Sequence, residues 1–273
     1  MQTDTQQTIA PEFPVRRIGI INGLGLWTLY VKEVRRFAKV GFQTILAPVI
    51  STLLFLLVFT LAFGDLRPAI NGIAFTQFLV PGLVMMAILN NSFANSSSSL
   101  IVSKVQGNAV DFLMPPLSAA ELAIAFIAGA ATRGIVVGTV GVLCIFPFMP
   151  LTLAHPFVAM FYGLNAAMMM GMVGLMAGIY AQRFDHLSAV QNFVLLPLTF
   201  LSGTFYSVKI LPPVFQHLSA FNPFFYLIDG FRYGFTGVAD GSIIRGVIFV
   251  GAINLVLALA SYAMLRSGWR LKT

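Results

Sequence analysis

Charged side chains are scarce in this chain. Only 9% of its 273 residues are Asp, Glu, Lys or Arg, whereas 58% are hydrophobic, and the mean hydropathy is +0.88. So few polar side chains cannot cover the surface of a water-soluble fold of this size. Lipid is therefore the expected solvent, and the lack of any long polar block argues against a sizeable appended soluble domain.

Residues that build metal centres and nucleophilic sites are also few. The chain has a single cysteine, Cys144, and three histidines in separate parts of the sequence, His155, His186 and His217. One cysteine excludes a disulfide framework, and no spacing typical of a metal site occurs. Ser202 lacks the G-x-S-x-G context of a hydrolase nucleophile. We therefore expect neither a metal centre nor catalysis by this chain.

Two ligand-binding patterns are missing as well. No G-x-x-x-x-G-K-[ST] phosphate loop occurs, so the chain lacks the glycine cradle and the lysine that hold ATP. The net charge of +7 does not indicate nucleic acid, because basic and aromatic residues form no clustered module. No nucleic-acid partner and no cofactor are expected for this chain. Its first 25 residues do not read as a cleavable signal peptide, so the first span is expected to direct insertion.

Long apolar runs dominate the rest of the sequence. A hydrocarbon core about 30 Å thick needs about 20 apolar residues per helix. Runs of this size predict spans at residues 43–63, 78–98, 122–146, 157–180 and 243–265. Another run begins near Val190, meets Pro197 and Gly203, and continues as the mixed segment 206–222. The prediction is an all-α integral membrane protein with six transmembrane helices and a re-entrant segment after the fifth span.

The positions of lysine and arginine predict how the spans are oriented. Positive residues near span ends stay on the cytoplasmic side. With six spans, eleven of the 16 fall on the side of the two termini, namely Arg16, Arg17, Lys32, Arg35, Arg36, Lys39, Lys104, Arg183, Arg266, Arg270 and Lys272. The opposite side keeps Arg67, Lys209, Arg232 and Arg245. Both termini are therefore expected in the cytoplasm.

Residues 23–41 are predicted to form an amphipathic interface helix that follows a polar tail at residues 1–22. Apolar residues recur there at helical spacing: Trp27, Tyr30, Val31, Val34, Phe37, Ala38 and Gly41. Lys32, Arg35, Arg36 and Lys39 take the other face. Such a helix serves as a lipid anchor or as a platform for a cytoplasmic partner, and the residues leave both open. Residues 42–273 are predicted to be a single transmembrane domain.

The longest predicted cytoplasmic loop covers residues 99–121. Asn108 or Asp111 is placed to cap a short helix, which Pro115 and Pro116 would stop. Ser118 followed by Glu121 matches a capping box that opens the third span. An ordinary connector and a docking element both remain open for this loop.

Three motifs then point to a family. Residues 107–121 read Gly-Asn-Ala-Val-Asp-Phe-Leu-Met-Pro-Pro-Leu-Ser-Ala-Ala-Glu, residues 201–208 read Leu-Ser-Gly-Thr-Phe-Tyr-Ser-Val, and residues 222–226 read Asn-Pro-Phe-Phe-Tyr. With the amphipathic first helix and the order of the spans, they resemble the type-2 ATP-binding-cassette (ABC) permeases over nearly the whole chain. Within that family the chain most resembles the bacterial branch that exports polysaccharides, lipo-oligosaccharides and drugs.

The resemblance implies a permease subunit of an ATP-driven exporter in the bacterial inner membrane. Two membrane subunits, in a homodimer, would form the path, and separate ATPase subunits would carry ATP and magnesium. The implied coupling residues are Gly107, Asn108, Asp111, Phe112, Leu113, Pro115 and Pro116. The interface helix, with Trp27, Lys32, Arg35, Arg36 and Lys39, would rest beside them on the ATPase. The family often has acidic residues where this chain has Lys104 and Asn108.

Polar residues inside the predicted spans are candidates for the translocation path, because they are costly in lipid. They are Asn90, Asn91, Asn95 and Arg133. Arg133 would contact an anionic group of a substrate or pair with a neighbouring span, and the asparagines would line a path or pack helices together. The glycine pairs Gly134 with Gly138 and Gly174 with Gly178 suit close helix crossings or a homodimer seam, and close packing is the expected role.

The segment after the fifth span is a candidate outer gate. Ser202, Gly203, Tyr206, Asn222 and Pro223 carry this assignment, because non-helical backbone at membrane depth survives only inside protein or beside a cavity. A surface hairpin is the alternative for the segment. For the whole chain the alternatives are an ion-coupled secondary carrier and a non-transporting membrane scaffold. A carrier would call for carboxylates within the spans, and Glu121 and Asp229 lie only near span ends.

Overall fold

The computed structural model describes residue 19 and residues 21–64, 69–70, 72–149 and 151–270. Nearly all of the predicted tail and the basic residues Arg16, Arg17, Arg67 and Lys272 lie outside this part of the chain. The described residues are mainly helical and include no strand beyond an isolated antiparallel bridge between Ile70 and Ile73. The all-α prediction is confirmed.

Ten helices of four residues or more can be followed through the described residues. They are α1 (Gly23–Lys39), α2 (Phe42–Phe63), α3 (Phe75–Val105), α4 (Val110–Leu113), α5 (Ala119–Ile145), α6 (Pro156–Tyr180), α7 (184–201), α8 (Pro213–Ala220), α9 (Pro223–Thr236) and α10 (Ile243–Ser267). A short 3-10 turn, Val208–Ile210, lies between α7 and α8.

Five of these helices are long and apolar enough to cross a membrane: α2, α3, α5, α6 and α10. They coincide with the five uninterrupted runs read from the sequence. Helix α7 occupies the place of the fifth of the six predicted spans but is not among the five helices that meet this criterion. The count of six spans therefore stays a prediction.

Helix α3 continues beyond the predicted span, so the first seven residues of the predicted cytoplasmic loop are helical instead. The polar residues at this end of α3 can remain helical because neighbouring helices supply their hydrogen-bond partners. Ser99 donates to a carboxylate on α1, and Lys104 is buried at 6% exposure. Its Nζ donates to the carbonyls of Ile179 at 2.7 Å and Ala181 at 2.6 Å. A cation that caps the carbonyl end of α6 complements the partial negative charge there.

Glycines bring α3 close to α5 and α6. A Cβ on Gly174 would lie 2.5 Å from the carbonyl oxygen of Phe93, and a Cβ on Gly178 would lie 2.9 Å from Leu100 Cβ. Gly138 meets Ile88 in the same way. The predicted packing role of the glycine pairs is confirmed, and the partner is α3 of the same chain.

Helices α2 and α7 each contain a π-helical turn, Phe42–Leu46 and Gln191–Leu195. The turns close with N–H groups of Ala47 and Leu196 that donate five residues back, and a proline follows immediately in both cases. Proline has no N–H for the next helical bond, so the ladder is rearranged at these points.

Past α7 the chain forms a hairpin of residues 202–242, which will be called the outer hairpin after its predicted side of the membrane. Gly203 turns it with a φ of +75°, a value that disfavours a Cβ. Helix α8 and the fourteen-residue α9 follow, and α9 packs against α6 and α3. Of the predicted mixed segment 206–222, residues 213–220 form α8 and residues 208–210 form the 3-10 turn, and α9 begins directly after it.

Helix α1 has three faces rather than the two that the sequence suggested. Leu29, Glu33 and Phe37 are buried against the spans. Trp27 and Ala38 lie to one side and are exposed, and the basic residues follow around the helix. Arg36 does not share the basic face, because its guanidinium turns inward to α3. A buried carboxylate recruits it there.

Candidate functional site

The loop between α3 and α5 contains the short helix α4. Gly107 turns the chain with a φ of +72°. The predicted side-chain cap by Asn108 or Asp111 is wrong: Ala109 is the N-cap, no side chain caps the helix, and the Asn108 carbonyl accepts from the Asp111 N–H instead. The helix ends before Pro115 and Pro116, as predicted.

Helix α4 is attached to the spans by one aromatic side chain. Phe112 is 2% exposed and packs edge-on against Phe126 of α5, with ring centroids 5.6 Å apart. Val110 and Met114 are exposed by 54% and 78%, and Asp111 is exposed beside them. Of the predicted coupling residues, Phe112 therefore anchors the helix. Val110, Asp111 and Met114 form an outward-facing patch, and sequence reasoning missed Val110 and Met114.

A single carboxylate joins α1, the loop and α5. Glu121 Oε2 accepts from the backbone N–H of Ser118 at 2.6 Å and from its hydroxyl at 2.8 Å, and the predicted capping box is confirmed. Glu121 Oε1 accepts from the backbone N–H of Asn22. A cavity of about 460 Å³ lies between α1 and the loop, with Lys32 and Asp111 in its lining. Glu121 therefore joins the start of α1 to the start of α5, beside the loop that carries α4.

A second polar cluster joins α1 to α3 and will be called the latch: Glu33, Arg36, Asn95 and Ser99. Glu33 is 1% exposed; it accepts from Arg36 at 3.0 Å and from the Ser99 hydroxyl at 2.8 Å. Arg36 also donates to the backbone carbonyl of Asn95 at 2.7 Å. Gly129 of α5 makes room, since a Cβ there would lie 2.7 Å from Glu33 Cβ. Sequence reasoning missed Glu33, although an acid on a basic amphipathic helix is a signal that could have found it.

The candidate path residues divide between two places. Asn95 belongs to the latch, because its side-chain oxygen accepts from Arg36 at 3.1 Å. Asn90 and Asn91 line a cleft of about 320 Å³ between α2, α3 and α7. Arg133 stands behind this lining and donates to Asn91 Oδ1 at 3.0 Å. The structure therefore pairs Arg133 with a neighbouring span.

The cleft has a mixed lining and no charged residue among the described residues that face it. Ser51, Thr52 and Phe55 come from α2, and Gln191 comes from the π turn of α7. Three carboxamides thus reach the cleft, those of Asn90 and Asn91 from α3 and that of Gln191 from α7. Sequence reasoning missed Gln191, because the π turn that places it there is not visible in the pattern of apolar residues.

The predicted outer-gate residues meet around one asparagine. Asn222 Nδ2 donates to the Ser202 hydroxyl at 2.8 Å and to the Leu198 carbonyl at 2.9 Å, and its Oδ1 caps α9 by accepting from Phe224 N. Pro223 occupies the first turn of α9, where its missing N–H costs nothing. Tyr206 points away and donates to the Phe200 carbonyl at 3.0 Å.

A buried arginine fastens this hairpin to α3, and sequence reasoning missed it. Arg232 is 2% exposed and donates to the carbonyls of Gly203 at 2.7 Å and Phe78 at 3.3 Å. Its guanidinium also lies 3.7 Å from the centre of the Phe78 ring. Nearby, Asp229 accepts from the backbone N–H groups of Asp240 and Gly241, each at 2.8 Å. The hairpin is therefore held by the buried contacts of Arg232 and the partly buried contacts of Asp229.

No group of three or more His, Cys, Asp or Glu residues that could hold a metal occurs in the described part of the chain. The candidate site has two parts, the exposed patch of α4 and the cleft between α2, α3 and α7. Contacts through α1 and α3 connect them. A family model described as ABC-2 type transporter matches residues 25–236, from α1 to the end of α9.

The chain belongs to the ABC-2 type transporter family. The resemblance to type-2 ABC permeases is confirmed at this level. The matched region includes α4, the cleft and residues 202–236 of the outer hairpin, so these parts belong to the ABC-2 fold rather than being additions to it.

Individual relatives of this ABC-2 protein cover almost its full length. The inner membrane transport permease YadH of Escherichia coli K12 is 36% identical over 238 residues, which are 85% of this chain and 93% of YadH. Nodulation protein J of Rhizobium leguminosarum bv. viciae is 24% identical over 257 residues, covering 91% of this chain and 95% of that protein. Nodulation protein J of Rhizobium meliloti is 23% identical over 218 residues, 77% of this chain and 81% of that protein.

Proposed function

We propose that this chain is the permease subunit of an ATP-driven exporter in the bacterial inner membrane. The observation that carries the proposal is the outward-facing patch of α4, which is joined to the spans through Phe112 and to α1 through Glu121. ATP and magnesium would be bound by a separate ATPase subunit, since the sequence has no phosphate loop. Membership of the ABC-2 family and likeness to a transport permease support this assignment.

The proposed topology has six spans with both termini in the cytoplasm. At about 1.5 Å per residue, residues 184–201 make α7 about 27 Å long, close to the thickness of a hydrocarbon core. With α7 as the fifth span, α4 and α1 lie on the same side as the C-terminus, and the outer hairpin lies on the opposite side. Helices α8 and α9 then form the re-entrant segment.

We place the translocation path at the cleft between α2, α3 and α7. Its carboxamides and its aromatic and aliphatic walls suit an amphiphilic molecule that carries hydroxyl or amide groups. The π turns at two of its three helices are points where the helical ladder is already rearranged, so α2 and α7 can bend there at low cost. A second copy of the chain would complete the path in a homodimer.

The coupling assignment predicts a specific loss of ATPase binding. Replacing Met114 by Asp puts a charge in the middle of the outward-facing patch, and we expect at least a tenfold weaker association with the ATPase subunit, as for an interface hot spot. The measurement is a mild-detergent pull-down of the tagged chain from native membranes, with mass spectrometry and an ATP hydrolysis assay. Phe148→Asp is the control, because Phe148 is equally exposed but lies in the outer loop between α5 and α6.

Recovery of the unaltered chain without any ATPase, and without ATP hydrolysis, would contradict the proposal. An ion-coupled secondary carrier or a membrane scaffold would then be the better assignment. Equal ATPase recovery with Met114→Asp and with the unaltered chain would leave the ATP-driven function standing but move the docking surface away from α4.

The path assignment predicts that Asn90→Leu and Gln191→Leu each raise the substrate concentration for half-maximal stimulation of ATP hydrolysis by about fivefold to tenfold. Each loses a hydrogen bond worth about 1 kcal/mol. The assay uses the assembled transporter with a panel of lipo-oligosaccharides, polysaccharides and drugs. Asn192→Leu is the matched control, because Asn192 is the next residue of the same π turn but is absent from the cleft lining. An equal effect of Asn192→Leu would refute the location.

A further inference from the structure

A large apolar groove lies on the outer surface of the spans, away from the cleft. It has a volume of about 860 Å³ and runs between α5, α6 and α10, with Ile127, Ile135, Leu164 and Leu255 in its walls. At one end Tyr30 of α1 closes it, and the Tyr30 hydroxyl bonds to the Thr132 hydroxyl at 3.1 Å. Because all three flanking helices are candidate spans, the groove opens toward lipid tails.

The basic side of α1 begins where this groove ends. Trp27 stands next to Tyr30, with ring centroids 5.4 Å apart, and Trp27 borders a shallow surface that carries Lys32, Arg35 and Lys39. These three cations form no ion pair in the described part of the chain, unlike Arg36, whose charge is engaged by Glu33. A basic surface and an apolar groove are thus joined through an aromatic pair.

We infer that this composite surface binds one anionic phospholipid of the surrounding bilayer. The phosphate lies against Lys32 and Arg35, and an acyl chain passes the Trp27–Tyr30 pair into the groove. Anionic headgroups attract basic residues at the membrane surface by about 1 kcal/mol for each Lys or Arg. Aromatic side chains at the same depth are suited to the boundary between headgroup and tail.

The charge pattern selects this occupant over a second copy of the chain. A copy packed along the groove would also have to satisfy three unpaired cations, whereas a phosphodiester supplies the negative charge and the apolar tail in one molecule. The inference requires that the protein lies in a bilayer but does not require that it exports anything. A failure of the export function would therefore leave it unaffected.

The test compares retention of two probes, phosphatidylglycerol and phosphatidylcholine, by the delipidated full-length protein in native mass spectrometry. The unaltered chain should retain one phosphatidylglycerol per chain and prefer it to phosphatidylcholine. Arg35→Ala and Lys32→Ala should each reduce that preference about fivefold. Ala258→Trp, which fills the groove from α10, should abolish retention of both lipids.

Two matched controls accompany these variants. Ala252→Trp places the same side chain on α10 at an exposed position outside the groove, and Arg266→Ala removes an exposed cation at the end of α10. Both should retain phosphatidylglycerol fully. Equal retention of the two lipids by the unaltered chain, or unchanged retention by Ala258→Trp, would overturn the inference. If the unaltered chain binds no lipid and Ala258→Trp removes the mass of the dimer, the groove would be assigned to a second copy of the chain.

Discussion

Replacing Arg232 by alanine is expected to lower the free energy of unfolding by about 3 to 5 kcal/mol, the range for removing one member of a buried charged network. The guanidinium is desolvated and bridges α9 to the carbonyls of Gly203 and Phe78. Its removal leaves the Gly203 carbonyl without this donor, leaves Asp229 nearby without a compensating cation, and opens a cavity over Phe78. Unfolding of the detergent-solubilised protein by heat and by denaturant measures the loss.

Two variants test the cause of that loss. Arg245→Ala removes an exposed arginine on the same side of the protein and should stay within about 0.5 kcal/mol of the unaltered chain. Arg232→Lys keeps the charge but cannot reach two carbonyls with a planar fork, so it should recover only part of the stability. Full recovery with lysine would show that charge alone, not the two directed bonds, holds the hairpin.

Glu33→Ala is expected to lower the free energy of unfolding by about 2 to 3 kcal/mol and to reduce transport at least tenfold. The loss falls below that of a fully enclosed ion pair because Arg36 keeps a side-chain exposure of 31%. Without the carboxylate, Arg36 and Ser99 lose their common acceptor, and α1 keeps only the bonds of Arg36 to α3. Stability is measured as before, and transport is compared with ATP hydrolysis in the assembled transporter.

A role of the latch in coupling can be distinguished from a general effect on stability by measuring the ATP consumed per molecule exported. We expect Glu33→Gln to retain the Ser99 bond and most of the stability, yet to consume more ATP per molecule exported, because α1 no longer moves rigidly with α3. Arg266→Ala, which removes an exposed cation at the end of α10, should leave the coupling ratio unchanged. If Glu33→Gln transports and hydrolyses like the unaltered chain, the latch has no part in coupling.

Much of the candidate site could be anticipated because it depends on local patterns. The Pro115–Pro116 stop and the Ser118–Glu121 capping box act within one turn of helix, so neighbouring residues decide them. For Ser202 and Asn222, the sequence predicted only that both belong to the same segment, not that they form a hydrogen bond. Its geometry depends on α8 folding between them, which short-range patterns do not reveal.

Other residues were misjudged because their environment comes from distant parts of the chain. Lys104 was read as a loop cation, Arg36 as part of the basic face and Arg232 as an outer charge, yet each donates to carbonyls contributed by another helix. Phe112 was predicted as a coupling residue, and that role stays a prediction; the structure adds that its ring packs on α5. A charge or aromatic ring looks the same in the sequence whether it faces water, lipid or protein.

By itself, the sequence determined that this protein is an all-helical membrane protein, because composition and apolar run length are local quantities that lipid constrains strongly. Its resemblance to type-2 ABC permeases pointed to the ABC-2 family, which the family match shows. Only the tertiary structure decided which polar residues serve as joints and which face the cleft. Burying a charge in a membrane protein is tolerated only where partners converge on it, and that convergence is a property of helices brought together over 60 to 150 residues of separation.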